Sequence, residues 1–222
     1  MANFLDKVQP KNKAQLKSLI EYAFNHNIYD LNFIDTSKIT DMSNLFMNCE
    51  YDIDVSNWDV SNVTTTLCMF VGCKKFNSDL SNWDVSNVKN MNNMFYCCKN
   101  FDCDLSNWNV SNVTDMYSMF TACESFEGKG LDNWDVSKAE DMRFMFYNCK
   151  NFNCDLSNWD MSKALRINEM FYGCKNFEGK GLENWKLEKT LFYYDIFTGC
   201  DKVKLPSWYK AFLKRCNLEF FK

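Results

Sequence analysis

Residues 79–101 read D-L-S-N-W-D-V-S-N-V-K-N-M-N-N-M-F-Y-C-C-K-N-F, and residues 104–126 read D-L-S-N-W-N-V-S-N-V-T-D-M-Y-S-M-F-T-A-C-E-S-F. The same text recurs in both directions along the chain. Trp58, Trp83, Trp108, Trp134 and Trp159 each sit in an N-W-[DN]-[VM]-S unit, and Trp185 in a diverged N-W-K-L, at spacings of 25 or 26 residues. Twelve residues after each Trp stands a Phe (Phe70, Phe95, Phe120, Phe146, Phe171, Phe197), and three further on a Cys (Cys73, Cys98, Cys123, Cys149, Cys174, Cys200). A half-copy runs from Ile34 through Phe46 to Cys49, and Leu205–Trp208 repeats the L-x-x-W start. A period of this size is the signature of a solenoid: no single unit can cover its own Trp, Met and Phe, but stacked units cover one another's.

Each copy carries two apolar periods. In Leu105–Val110, Trp108 and Val110 share one side while Asn107 and Asn109 take the other, which predicts a short strand. Val113, Met116, Met119, Phe120 and Cys123 then follow at helical spacing, with Thr114 or Asp115 as a start signal, as Thr40, Asp41 and Asp141 are elsewhere. The expected fold is therefore an α/β repeat solenoid whose coils of 25–26 residues each hold a short strand, a short helix and a return loop. Copies with an F-E-G-K-G-L loop, at Phe126 and Phe177, are one residue longer, and glycine permits the positive φ an added residue needs.

Three segments are expected: an N-terminal helical cap over 1–33, seven coils over 34–208, and a C-terminal helical cap over 209–222. Leu16, Leu19, Ile20, Ala23 and Phe24 form one apolar stripe, and Trp208, Tyr209, Phe212, Leu213 and Cys216 another. Both suit helices that close the ends of a stack.

Composition narrows function. The chain has 222 residues, one His, two Pro, seven Gly and 46% hydrophobic residues, which excludes collagen-like, mucin-like and disordered chains. A lone His26, no GxxxxGK[ST], no GxGxxG and no CxxC leave no ordinary catalytic, zinc or haem signature. No perturbed acid–base or nucleophile–base pair can be assembled from the repeats, so a non-enzymatic protein with no catalytic, metal or cofactor-binding residue is expected. No apolar run reaches the roughly 20 residues of a membrane span. The start MANFLDKVQPKNK shows no secretory signal pattern, which points to the cytoplasm. Net charge is −4, with 15 Lys/Arg against 24 Asp/Glu over residues 34–200 and six against two over 201–222. An acidic body argues against nucleic acid as partner.

Seven of the 12 Cys form the ladder from Cys49 to Cys200 and are read as buried free thiols acting as compact apolar filler. Cys68, Cys97, Cys103, Cys154 and Cys216 lie off that ladder and are expected to be more exposed. Unbridged thiols suit a reducing compartment. The column Met69, Met94, Met119, Met145 and Met170 is read as core.

With Trp and Val inward, the opposite side of the strand displays a polar column: Asn57 and Asp59, Asn82 and Asp84, Asn107 and Asn109, Asn133 and Asp135, Asn158 and Asp160. Three readings stay open for it. Asp and Ser can close turns through side-chain-to-backbone bonds, the column can contact a protein or glycan, or the carboxylates can attract calcium. Asn109 and Lys186 interrupt the acidic series.

The unit D-L-S-N-W-D-V-S-N-V-x-x-M-x-x-M-F-x-x-C-x-x-F resembles the repeat of BspA-like bacterial surface proteins, which also occurs in mycoplasma proteins of unknown function. It is similar to a leucine-rich repeat, with L-x-x-W-x-V in place of L-x-x-L-x-L. The resemblance spans about residues 34–208 and implies a leucine-rich-repeat-like solenoid that acts in adhesion or protein binding, with a protein ligand such as one on a host or cell surface. It brings no catalytic residues. It implies a surface or secreted location, against the cytoplasmic one read from the start of the chain, and an intracellular scaffold or delivered effector is the alternative function.

Overall fold

A computed structural model of the chain describes residues 7–191 and 193–215. The repeats stack in register as a solenoid, and the stacking is visible in the side chains. Trp58, Trp83, Trp108, Trp134, Trp159 and Trp185 are all buried. The indoles of Trp83 and Trp108 lie 6.5 Å apart and 2° from parallel, and those of Trp108 and Trp134 are 6.3 Å apart. Phe70, Phe95, Phe120, Phe146, Phe171 and Phe197 form a second column with rings 5.6–5.9 Å apart. The Met69–Met170 column is fully buried beside them. Such offset aromatic stacks add about 0.5–1.5 kcal/mol per pair to the burial itself.

Among the described residues the coils contain no extended strand and no α-helix. Each is a chain of β-turns closed by i→i+3 backbone bonds. In the coil that starts at Leu80, Trp83 N–H donates to Leu80 O, Val88 to Val85, Met94 to Met91, Cys98 to Phe95 and Phe101 to Cys98, at 2.9–3.2 Å. The next coil repeats the set from Trp108 to Phe126. The expected helix over Val113–Cys123 is thus two consecutive turns, and the expected strand around Trp108 is a turn followed by extended chain. The reason is that apolar residues three apart mark the two ends of a turn as well as one side of a helix. A helix is further prevented by two left-handed residues per coil, for example Ser118 (φ 52°) and Ala122 (φ 59°), or Cys68 and Gly72. These occupy the third position of the turns, as type II geometry requires. The start signals at Asp41, Asp115 and Asp141 are real, but each carboxylate caps a turn: Asp115 Oδ1 accepts from Tyr117 N at 3.0 Å and Asp41 Oδ1 from Ser43 N at 2.7 Å.

Regular backbone pairing does occur, at another place than the Trp segment. Parallel bridges run Asp41–Thr65–Asn90–Asp115–Asp141–Arg166 across successive coils. Along this edge Met91, Asn93, Phe95 and Cys97 N–H donate to the carbonyls of Asp115, Tyr117, Met119 and Thr121 in the next coil, at 2.7–3.0 Å. The left-handed turn residues are what point alternate amides outward to the neighbouring coil.

The two longer copies place their added residue in a 3-10 turn, Leu131–Asn133 and Leu182–Asn184, preceded by Gly130 and Gly181 at φ 85°. A Cβ on Gly130 would lie 2.2 Å from the Ser106 nitrogen, so glycine is required there.

Helix α1 (Lys13–Asn25) begins on Asn12, whose Oδ1 accepts from Gln15 N, and buries Leu16, Ile20 and Ala23 at the first coil. Helix α2 (Ser207–Arg215) buries Tyr209, and its Trp208 continues the indole stack, 6.3 Å from Trp185. Cys216 and the remainder of the expected C-terminal cap lie outside the described residues, as do residues 1–6.

Candidate partner-binding edges

Two long edges of the solenoid carry polar side chains, and they are held together differently. The first, the polar edge, contains Asn57, Asp59, Asn82, Asp84, Asn107, Asn109, Asn133, Asp135, Asn158 and Asp160, all of them exposed. Their polar atoms are largely engaged in the coil. Asp59, Asp84, Asp135 and Asp160 each accept the backbone N–H of the Ser two residues on, at 2.9–3.0 Å, and Asn109 does the same for Ser111 at 3.1 Å. These are Asx turns. The Ser bonds hold the carboxyls of Asp84, Asp135 and Asp160 below the usual carboxylate range.

Asn side chains then tie coil to coil. Asn62, Asn87 and Asn112 donate from Nδ2 to the carbonyls of Ser37, Ser61 and Ser86 in the preceding coil, at 2.7–2.9 Å, and Asn107 and Asn158 reach Ser81 and Asp132 at 3.2 Å. Beneath them each indole N–H donates to the coil before: Trp58 to Leu31 O, Trp83 to Val55 O, Trp108 to Leu80 O and Trp159 to Leu131 O, at 2.7–3.1 Å. No peptide-to-peptide ladder joins successive coils at these positions among the described residues, so side chains take over that task.

The second, the ladder edge, is the one joined by the backbone. Two columns run along it, Ser43, Leu67, Asn92, Tyr117, Arg143, Asn168 and Tyr194 in one and Met47, Val71, Tyr96, Thr121, Tyr147, Tyr172 and Thr198 in the other; all face outward at least in part except Asn168 and Thr121, which are buried. Tyr147 and Tyr172 stack at 4.8 Å, Tyr117 meets Phe144 edge-on at 5.7 Å, and Arg143 lies 5.0 Å over the Tyr117 ring. Tyr96 is 37% exposed and Tyr194 49%. Asp141 pairs with both Arg143 (2.6 Å) and Arg166 (3.6 Å). Burial pushes the Glu169 carboxyl up, and neighbouring Asp195 pushes the same way. A shallow cleft of about 660 Å³ flanks this edge at Val71, Gly72, Tyr96 and Cys97, and another of about 480 Å³ at Tyr194, Asp195, Phe197 and Thr198. The sequence carries little signal for this edge, because its residues differ from copy to copy and fall in a stretch whose apolar spacing predicts a helix.

The ladder cysteines Cys73, Cys98, Cys123, Cys149 and Cys174 are buried free thiols. They are more than filler: each Sγ donates to the Phe carbonyl of the preceding coil, Cys98 to Phe70, Cys123 to Phe95 and Cys174 to Phe146, at 2.9–3.0 Å. Cys49 and Cys200, at the two ends, are half-buried, and burial pushes their thiols up to about 11 and about 12. Off the ladder, Cys68 and Cys97 are half-buried, while Cys103 and Cys154 are buried rather than exposed. Cys103 Sγ accepts Leu80 N–H at 3.1 Å, so it too belongs to the coil. Among the described residues no three His, Cys, Asp or Glu side chains converge to hold a metal ion, and no helix is long and apolar enough to cross a membrane.

The fold and its repeat have known relatives. A crystal structure of a leucine-rich-repeat protein from T. pallidum matches with a TM-score of 0.50 at 16% identity, covering 82% of this chain and 78% of that one. At that identity it shows the fold: a leucine-rich-repeat-like solenoid. A TLR13–ssRNA13 complex matches with a TM-score of 0.31 at 13% identity, over 89% of this chain and 31% of that one, which is too weak to carry an argument. No curated protein matches the sequence. The family model described as mycoplasma protein of unknown function, DUF285, matches residues 14–131 and 100–209. Spanning nearly the whole solenoid, that match agrees with the resemblance to BspA-like repeats, and the chain belongs to the DUF285 family.

Proposed function

We propose that the chain is a non-enzymatic protein-binding module. The observation that carries this reading is the architecture itself: a leucine-rich-repeat-like stack offers long, shallow, rigid edges suited to a macromolecular partner. The clefts beside Tyr96 and Tyr194 are open grooves on its surface, whereas small-molecule sites bury most of their ligand. Its acidic body disfavours nucleic acid.

The finer reading is adhesion to a host or cell-surface protein. The unbridged thiols favour the alternative, an intracellular scaffold or delivered effector. Fractionation of the native cell separates these: surface-exposed, protease-accessible protein supports adhesion, and exclusively cytosolic protein supports the scaffold.

Binding itself is tested by passing surface and cytosolic extracts over the immobilised chain and competing with free chain. A saturable, competed protein partner supports the module, and its absence from both extracts contradicts it. The polar edge offers one contact surface, with Asp59, Asp84, Asp135 and Asp160 at its centre. Reversing the charge of these four residues tests that edge, and unchanged capture assigns binding elsewhere.

A further inference from the structure

Comparing the seven coils with one another separates positions the fold dictates from positions it leaves open. On the polar edge the copies agree: Asn at 57, 82, 107, 133, 158 and 184, and Ser at 61, 86, 111, 137 and 162. Every such residue with a bond described above has a task inside the coil. On the ladder edge backbone atoms do the joining, so side chains are free to vary, and they do.

What fills the free positions is not neutral. Coils four to six carry a band of touching rings, Tyr117, Phe144, Tyr147 and Tyr172, with Tyr96 on the coil before it and Tyr194 on the coil after it. Tyrosine and arginine are the side chains enriched where protein partners bind most strongly. Phe144 and Glu169 also hold left-handed φ values of 58° and 53°, where Asn or Gly would be less strained. Stability alone would select other residues.

We propose that this band seats an extended, basic segment of a protein partner. Charge complementarity selects the occupant. Asp141 is shared between Arg143 and Arg166, while Asp115, Glu169 and Asp195 form no ion pair among the described residues, so these four carboxylates outnumber the two guanidiniums. Glu169 and Asp195 lie one coil apart in the column beside Tyr172 and Tyr194, a combination of carboxylate and aromatic face that suits an arginine or lysine side chain. Spacing fits as well. Three residues of extended peptide span about 10 Å, close to two coils at the 5.6 Å ring repeat of Phe70, Phe95 and Phe120. A cation at every third residue therefore meets every second coil.

The proposal rests on the protein-binding reading and is tested separately from it. The probe is a fluorescein-labelled peptide of five Arg-Gly-Ser repeats, with a Glu-Gly-Ser peptide as control, titrated with the full chain and read by anisotropy. The expected result is binding of the arginine peptide alone. It should weaken about tenfold in Tyr172→Ser/Tyr194→Ser and in Glu169→Gln/Asp195→Asn, with melting temperatures near the parent's. The control Glu21→Gln/Glu127→Gln/Glu178→Gln, at three exposed carboxylates outside both edges, removes more charge and should change it less than twofold. Equal or larger loss in that control variant would show general electrostatic attraction and overturn the proposal, as would no binding of the arginine peptide or equal binding of the glutamate one. Sedimentation of the chain alone covers the remaining occupant: self-association abolished by Tyr172→Ser would give the edge to a second copy and overturn a foreign partner. A chain that captures partners from extracts yet ignores the arginine peptide contradicts this inference and leaves the module standing.

Discussion

The polar edge and the ladder edge solve one problem, fastening each coil to the next, in opposite ways. The ladder edge uses peptide groups, with Met91, Asn93, Phe95 and Cys97 N–H bonded to the following coil. Peptide bonding is indifferent to the side chain, so that edge accommodates Leu67, Asn92, Tyr117 and Arg143 at equivalent places. The polar edge uses side chains, and so its sequence is nearly invariant. What this teaches is that repetition in the sequence marks structural duty, and that the surface left for recognition is where repetition fails.

The contrast breaks first at the indoles. Trp108→Ala in a central coil removes a buried ring, two stacking partners and the bond to Leu80 O, and is expected to cost about 3–5 kcal/mol in urea unfolding. Gly130→Ala is next. It places a methyl 2.2 Å from the Ser106 nitrogen at φ 85° and should cost about 2–3 kcal/mol by the same measurement. Matched substitutions at exposed sites sharpen the comparison further. Asn87→Ala loses the bond to Ser61 O and should destabilise by about 0.5–1 kcal/mol, whereas Tyr96→Ser on the ladder edge should stay within about 0.5 kcal/mol.

Acid should act on the polar edge too. Hydrogen bonds from Ser lower the carboxyls of Asp79, Asp84, Asp104, Asp155 and Asp160 in the folded chain. Their contribution is complete above the unfolded value of about 3.9 and is lost as pH falls through the lower folded values. The urea midpoint is therefore expected to be flat from pH 7 to about 5 and to fall below about pH 4. Asp84→Asn should reduce that fall while keeping the turn, as Asn109 does naturally. One small effect is a gain: Ala122→Gly at φ 59° should stabilise by about 0.5 kcal/mol, since glycine carries no Cβ penalty there.

Much of this was legible in the sequence. The 25- and 26-residue period identified the solenoid, and the recurrence of Trp, Met, Phe and Cys identified which side chains the coils bury. The added residue of the Phe126 and Phe177 loops was traceable to its glycines. The local conformation was not legible, because an apolar residue every third position is produced by an i→i+3 turn and by a helix alike. The deciding feature, left-handed backbone at Ser118, Phe144 or Glu169, falls on residue types that carry no such signal, whereas Gly72, Gly173 and Gly199 in the neighbouring column do. A helix over that stretch hides the joined edge, and the regular polar column around Asp59 and Asp84 is then the face that stands out. Its Asx-turn chemistry, weighed as one of three readings, accounts for the bonds those residues make.

Hydrogen–deuterium exchange at the tryptophan indoles of the ¹⁵N-labelled chain tests in-register stacking most directly, because each indole N–H between Trp58 and Trp185 is buried on a carbonyl of the preceding coil. The stacked arrangement predicts six indole signals that persist for hours in D₂O, with Trp108 and Trp134 among the slowest. Loss of all six within minutes would contradict it.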